Sequence, residues 1–276
     1  MANTDKVAFV SMDVESFYDT GCVKGKKVVV DEKYNCAKEI KKFVDFLENY
    51  HIKATFFVTV SFLKEAKEYL QYAISKGHEI GLHCYEHEKL NRYSKKQFEE
   101  MIIKSKEEIK KELGVEPIGF RFPCFKPNKE FFGILLKHGF KFDSSVTKPR
   151  KDFYKITDTV YFGNGLYEFV PFRKVVLGKE ILLSGGGYLR MLPRNEIMRV
   201  IKKQIKTHNG YMIYLHPFEI SDDELPVPKN ILYMQKAYVK YGRKGYLGRI
   251  SEIFGYLLEN GYSFQSMGDY VDNLGK

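Results

Sequence analysis

Short apolar runs alternate along this chain with longer stretches whose apolar residues recur every three or four positions, a pattern of strands followed by amphipathic helices. Residues 7–12 read as a buried strand. Residues 36–49 read as a helix with Ile40, Phe43, Val44 and Leu47 on one face, and 54–60 as a second strand. A helix over 62–76 is closed by Gly77, and 79–82 forms a third strand. The helix over 94–113 opens with Ser94-Lys95-Lys96-Gln97, a capping-box pattern, and ends at Gly114. A fourth strand (118–122), a helix (128–138) and a short fifth strand (140–142) follow. Residues 147–178 are less regular, with hairpin-like apolar fragments around Val160 and Phe169. The rest predicts a sixth strand (181–183), a helix (193–208), a seventh strand (212–215), a helix (246–260) and a last strand (262–264).

Repeated strand–helix units imply a parallel sheet covered by helices, and seven or eight of them suggest a closed or nearly closed α/β barrel. An open doubly wound sheet is the alternative. No Gly-x-Gly-x-x-Gly follows the first strand, which weakens its dinucleotide-binding version. No repeat, low-complexity tract or linker divides residues 1–276, so a single domain is expected.

The unusual polar residues fall after the strands. Asp13 and Glu15 follow the first, His83 and His87 the third, Arg121 the fourth and Asp143 the fifth. Tyr188 and Arg190 follow the sixth through a Ser184-Gly185-Gly186-Gly187 loop, and His216 follows the seventh. Each alone has an ordinary reading as a cap, a turn residue or a surface ion pair. Together they converge, because the carboxyl ends of a parallel barrel share one face. If His83-x3-His87 spans one helical turn, both imidazoles can face one ion. Two histidines and a carboxylate are the three-ligand set of a catalytic zinc. A second carboxylate can serve as base, a histidine as acid, and an arginine can keep the base ionised. The set reads as metal-assisted hydrolysis of an amide or ester.

Composition narrows the class. The formal charge is +10, but lysines alternate with glutamates, as over 104–111, which reads as solvated helix faces. No nucleic-acid partner is expected from so dispersed a pattern, while weak attraction to anionic glycans, nucleotide-sugars or membrane surfaces stays open. No stretch reaches the length of a membrane span, and no secretory signal is read at residues 1–10, so a cytoplasmic protein is expected. The four cysteines (Cys22, Cys36, Cys84, Cys124) contain no Cys-x-x-Cys pair and fit reduced thiols. Oligomeric state is not legible, and residues 222–248, rich in tyrosine, have no assigned role.

Five segments, in order, resemble the motifs of the polysaccharide deacetylase family, the NodB-homology group of carbohydrate esterases. They are Ser11-Met12-Asp13-Val14-Glu15, His83-Cys84-Tyr85-Glu86-His87, Arg121-Phe122-Pro123, Asp143-Ser144-Ser145 and Leu215-His216-Pro217. Residues 139–145 and 184–193 are similar to a subgroup found with bacterial exopolysaccharide genes. The resemblance implies a distorted (β/α)7 barrel that removes N-acetyl groups from an amino sugar or glycan precursor. It implies Asp13 as general base and His83 and His87 as metal ligands. It further implies Arg121 orienting Asp13, His216 as acid tuned by Asp143, and an oxyanion resting on the metal and a backbone N–H near Cys124. Tyr188, Arg190 and Phe125 are expected to contact substrate. The family's usual second aspartate falls at Val14, so Glu15 is expected as third ligand. Zinc is the first expectation for these ligands, with cobalt, nickel and manganese compatible. Two other readings stand beside this one: a metal-independent cyclic-amide hydrolase on the same scaffold, and a non-catalytic carbohydrate-binding protein.

Overall fold

The structure, a computed structural model, describes residues 5–21, 23–24, 34–149, 151–176 and 179–275; Cys22 lies outside them. Five parallel strands form the centre: β1 (Val7–Val14), β2 (Thr55–Val58), β3 (Glu79–Leu82), β4 (Gly119–Phe120) and β5 (Phe142–Asp143). They pair in chain order. A meander follows, of β6 (Tyr154–Lys155), β7 (Val160–Gly163) and β8 (Leu166–Phe169). β8 runs parallel to β5 and antiparallel to β7, with Val160 opposite Phe169, the two apolar fragments that marked the hairpin in the sequence. Next come β9 (Arg173–Val176), β10 (Lys179–Leu182), β11 (Gly210–Leu215) and β12 (Ser263–Gln265). β11 pairs in parallel with β1, and β12 takes the amino-terminal half of β1 that β2 does not reach.

The expected sixth barrel strand is corrected here. Residues 179–182 pair antiparallel with β9 as a separate hairpin. Only the residues just after it reach the barrel: Tyr214 N–H donates to Ser184 O at 2.9 Å, beside a parallel bridge between Gly185 and Tyr214. Single hydrogen bonds, not a ladder, span this side, which is the distortion of the barrel.

Helices α1 (Lys38–Glu48), α2 (Leu63–Ser75), α3 (Lys95–Leu113) and α4 (Phe132–Lys137) cover the outer face of the strands. The capping box of α3 forms as its sequence indicates, and Gly114 ends it at φ 74°. Three helices were not anticipated: α5 (Gly186–Met191), α7 (Tyr233–Lys240) and α9 (Met267–Leu274); α6 (Arg194–Gln204) and α8 (Tyr246–Glu259) were.

Alternation along the strands decides what faces inward. Ala8, Val10, Met12 and Val14 pack outward among the helices, whereas Val7 and Phe9 join Phe57, Phe142, Met212 and Tyr214 in the barrel interior. Glycine makes that interior possible at two places. A Cβ on Gly81 would stand 2.7 Å from the Phe57 ring, and one on Gly119 2.0 Å from the Phe142 ring. Gly119→Ala is therefore expected to cost about 1–3 kcal/mol by overpacking, measured by chemical denaturation.

Candidate active site

The inward parity continues past the apolar layer. On β1 it runs Val7, Phe9, Ser11, Asp13; on β3 it leads from Gly81 to His83; on β4 from Gly119 to Arg121; on β11 from Met212 and Tyr214 to His216. The same two-residue period that fills the core with aromatics thus delivers four polar side chains to its carboxyl-terminal mouth.

Glu15 enters differently. Val14 points outward, and Glu15 N–H donates to Asp13 O at 3.1 Å, a tight turn that brings the next side chain back over the mouth. Its Oε2 lies 3.6 Å from His83 Nε2 and 2.9 Å from His87 Nε2, all three residues buried. The three ligand atoms fall within 4.8 Å of one another. The histidine pair does not form a helical turn, as its spacing suggested. Residues 83–87 are a bent loop, with Cys84 in the left-handed region at φ 76° and its thiol on Glu86 O. Lys24 Nζ donates to His87 O.

Protons sharpen the picture. The Arg121 carbonyl lies 2.7 Å from His83 Nδ1 and can only accept, so Nδ1 donates to it and Nε2 is the ring nitrogen left toward Glu15. Glu15 Oε2 is buried without a hydrogen-bond partner. Burial alone would raise this carboxyl; the charge of His87 and contacts with both imidazoles hold it well below the usual carboxylate range. A carboxylate oxygen and two imidazole nitrogens gathered within 4.8 Å of one another are a donor set that fits a divalent metal ion.

Beside this trio stands a buried ion pair. Arg121, fully buried, donates from Nη1 to Asp13 Oδ1 (2.5 Å) and Ser11 Oγ (3.0 Å), and from Nε and Nη2 to Ser144 O (3.1 Å) and Oγ (2.8 Å). Phe57 lies under its guanidinium. Removing one partner of such a pair costs about 3–5 kcal/mol.

The expectation that Asp143 tunes His216 is corrected. Asp143 is buried against the Ser145 N–H and hydroxyl (2.9 and 2.8 Å) and shares a hydrogen bond with Glu168 of β8. Burial and its carboxyl neighbour push Glu168 well up, so this pair retains a proton and fixes the 144–146 turn that holds Arg121. The carboxylate against His216 is Glu219, whose Oε2 lies 3.0 Å from Nδ1 and also accepts the His216 backbone N–H at 2.9 Å. Behind Glu219 stands Arg190, whose Nε donates to Oε1 at 2.7 Å. Burial alone would lower His216; the hydrogen bond and charge of Glu219, with Glu15 and Asp13, raise it to about 9. Glu219, which burial would raise, is brought down to about 2 by Arg190 and His216. His216 Nε2 is 3.9 Å from both Asp13 Oδ2 and Glu15 Oε1.

A cavity of about 280 Å³ opens over these groups, lined by Asp13, Glu15, His83, His87, His216 and Phe125 among others. Phe125 stands where a substrate contact was expected, at φ 53° beside Cys124 at φ 58°, with its ring 4.9 Å from that of Tyr214. Arg190 and Tyr188 are not among the cavity's lining residues. Arg190 is buried, donating to Glu219 and to the Tyr238 and Tyr241 carbonyls, and Tyr188 is exposed on α5 and does not line this cavity. Glu219 was legible in principle: it is the acid three residues after His216, at the position that closes a capping box on a short turn.

Comparison with known proteins bears on the fold and on two stretches of the chain. A family model described as polysaccharide deacetylase matches residues 23–142, and one described as a domain of unknown function (DUF3473) matches 144–272. The two meet inside β5, and strands from both stretches share one sheet. The peptidoglycan deacetylase of Helicobacter pylori is 34% identical over 107 residues, 39% of this chain and only 36% of that protein's length. The crystal structure of the Bc1960 peptidoglycan N-acetylglucosamine deacetylase has a TM-score of 0.59 at 13% identity, covering 98% of this chain and 89% of the other. A CE4 family pseudoenzyme from Bacillus anthracis scores 0.58 at 12% identity, covering 98% and 66%. Likeness at these identities establishes the fold and leaves activity to the site. Residues 23–142 thus match the polysaccharide deacetylase family model, and the fold of the chain is that of solved deacetylases.

Proposed function

We propose that this chain is a metal-dependent de-N-acetylase of an amino sugar or glycan precursor. The observation that carries the reading is the single cavity shared by Glu15, His83 and His87 with Asp13 and His216. A bound divalent cation, zinc first by its donor set, supplies an acidified water and polarises the acetamide carbonyl. Asp13, tied to Arg121 through Oδ1, has Oδ2 toward the cavity and accepts the proton of the attacking water. As the new C–O bond forms and the C–N bond breaks, the departing amine takes a proton from His216 Nε2. Glu219 keeps that proton in place beforehand. An N–H near Cys124 lends a donor to the developing oxyanion. Phe125 offers a ring face to a sugar, in a chain with no tryptophan.

The test is acetate release from a panel of N-acetylated precursors and oligosaccharides, with and without chelator. Release that stops with chelator and returns with zinc supports the proposal; release indifferent to chelator sinks the metal mechanism. Asp13→Asn is expected to lower release by about 10²–10⁴ while the metal content of the protein stays unchanged.

A further inference from the structure

A second and larger cavity, of about 710 Å³, lies between α7 and α8 in the stretch to which the sequence assigned no role. Six of its lining side chains are cationic (Arg190, Lys236, Lys240, Arg243, Lys244 and Arg249), and one, Glu224, is a carboxylate. Glu224 pairs with Lys240 at 3.4 Å. Arg190 pairs with Glu219. Arg249 donates to the carbonyls of Leu189, Arg190 and Leu192, and Arg243 to those of Phe218 and Asp223. Carbonyl dipoles satisfy N–H groups without cancelling charge. Among the described residues, no carboxylate lies within ion-pair distance of Lys236 or Lys244. Burial and the nearby charge of Arg190 push Arg243 down, a sign of positive charge crowded where water is scarce.

Two further features point the same way. α8 opens at Gly245, which lines the cavity at φ 76°, and its first turn has no side-chain cap, so the positive end of a 14-residue helix faces in. Tyr233 and Tyr241 stand at the rim, 82% and 61% exposed, as ring surfaces for a saccharide.

The position of α7 connects this cavity to the first. Tyr233, Lys236, Ala237 and Lys240 recur at helical spacing on one face and line the cationic cavity, while Tyr238 lines the catalytic one. One helix, about 10 Å across, is the wall between them. We propose that the cationic cavity binds the anionic part, phosphate or carboxylate, of a saccharide whose N-acetylated unit occupies the catalytic cavity. The inference rests on the deacetylase reading above and names its substrate class: an acidic glycan or a sugar carried on a diphosphate.

Calorimetric titration of the full chain with inorganic pyrophosphate, and separately with a trimer of galacturonic acid, tests this without any turnover. At least one anion is expected to bind one per chain, and which one binds assigns the anion as phosphate or carboxylate. Lys236→Ala/Lys244→Ala should weaken that binding about tenfold, roughly 1.4 kcal/mol. Lys95→Ala/Lys96→Ala, an equal loss of charge on α3 away from both cavities, should leave it unchanged. Failure of both anions to bind overturns the proposal, as does equal weakening by the two double variants. Binding indifferent to both pairs overturns it too, because the anion would then sit elsewhere. Since acetate is not measured, a chain without deacetylase activity would still pass or fail this titration on its own terms.

Discussion

Glu15→Ala is expected to strip the chain of tightly bound divalent cation and to lower acetate release by about a thousandfold, the loss of several kcal/mol of metal-assisted stabilisation. The variant should still fold. Glu15 Oε2 holds no backbone group, so in the metal-free chain its removal forfeits only the contacts with His83 and His87. The sharper readout is thermal stability with and without zinc. A ligand that binds only the folded chain stabilises it by about 2.7 kcal/mol at a hundredfold excess over its dissociation constant. Wild type should show that rise and Glu15→Ala should not. Glu15→Asp separates reach from charge. It restores the family's usual residue type at the wrong register, one methylene shorter, and should recover only part of the affinity. Zinc-dependent stabilisation that survives in Glu15→Ala would mean the two histidines hold metal without this carboxylate.

This prediction depends on a feature that the sequence carried openly and another that it hid. A period of two along β1, β3, β4 and β11 places Asp13, His83, Arg121 and His216 on the inward face, and strand order brings those ends together. Both are legible because buried parallel strands are long apolar runs whose ends are marked by the first polar residues. Glu15 and His87 lie beyond the strands, where no period holds. Their arrival at the site follows from one backbone hydrogen bond, Glu15 N–H to Asp13 O, and from a left-handed Cys84, neither of which a pattern of polar and apolar residues encodes.

The misreadings share that cause. Arg190 was placed toward substrate because residues 184–187 read as a loop. In fact Gly186 opens a helix at φ 56°, and that helix turns Arg190 inward onto Glu219. Asp143 was paired with His216 by family motif, but β5 pairs with β8, and Glu168, from a hairpin that looked merely irregular, claims Asp143 instead. Residues 181–183 have a strand's composition and form one, in a hairpin outside the barrel; composition reports the element and not its partner.

Glu219→Gln should move the alkaline limb of the pH–rate profile for acetate release to lower pH by about 1–3 units. The sign follows from the charge on His216. As general acid it must carry its proton, and with a folded value raised to about 9 it does so through neutral pH and loses it as pH rises through that value. A cation bound at Glu15 would offset part of the rise. Glutamine keeps the shape of Glu219 but removes the charge that holds the imidazolium, so deprotonation begins earlier. The deficit should therefore run from about twofold to nearly a hundredfold at pH 8 across that range of shifts, and be at most about twofold near pH 6. Damage to the fold would instead lower activity evenly across pH. That control matters because the substitution also leaves Arg190 buried without the counter-charge of Glu219, a loss of up to about 3–5 kcal/mol in stability that denaturation at pH 6 would register. Glu219→Asp retains the charge one methylene further back and should give an intermediate profile. A limb that stays in place in Glu219→Gln, in protein that remains folded, would remove Glu219 from the acid step and return His216 to the neighbouring carboxylates of Asp13 and Glu15.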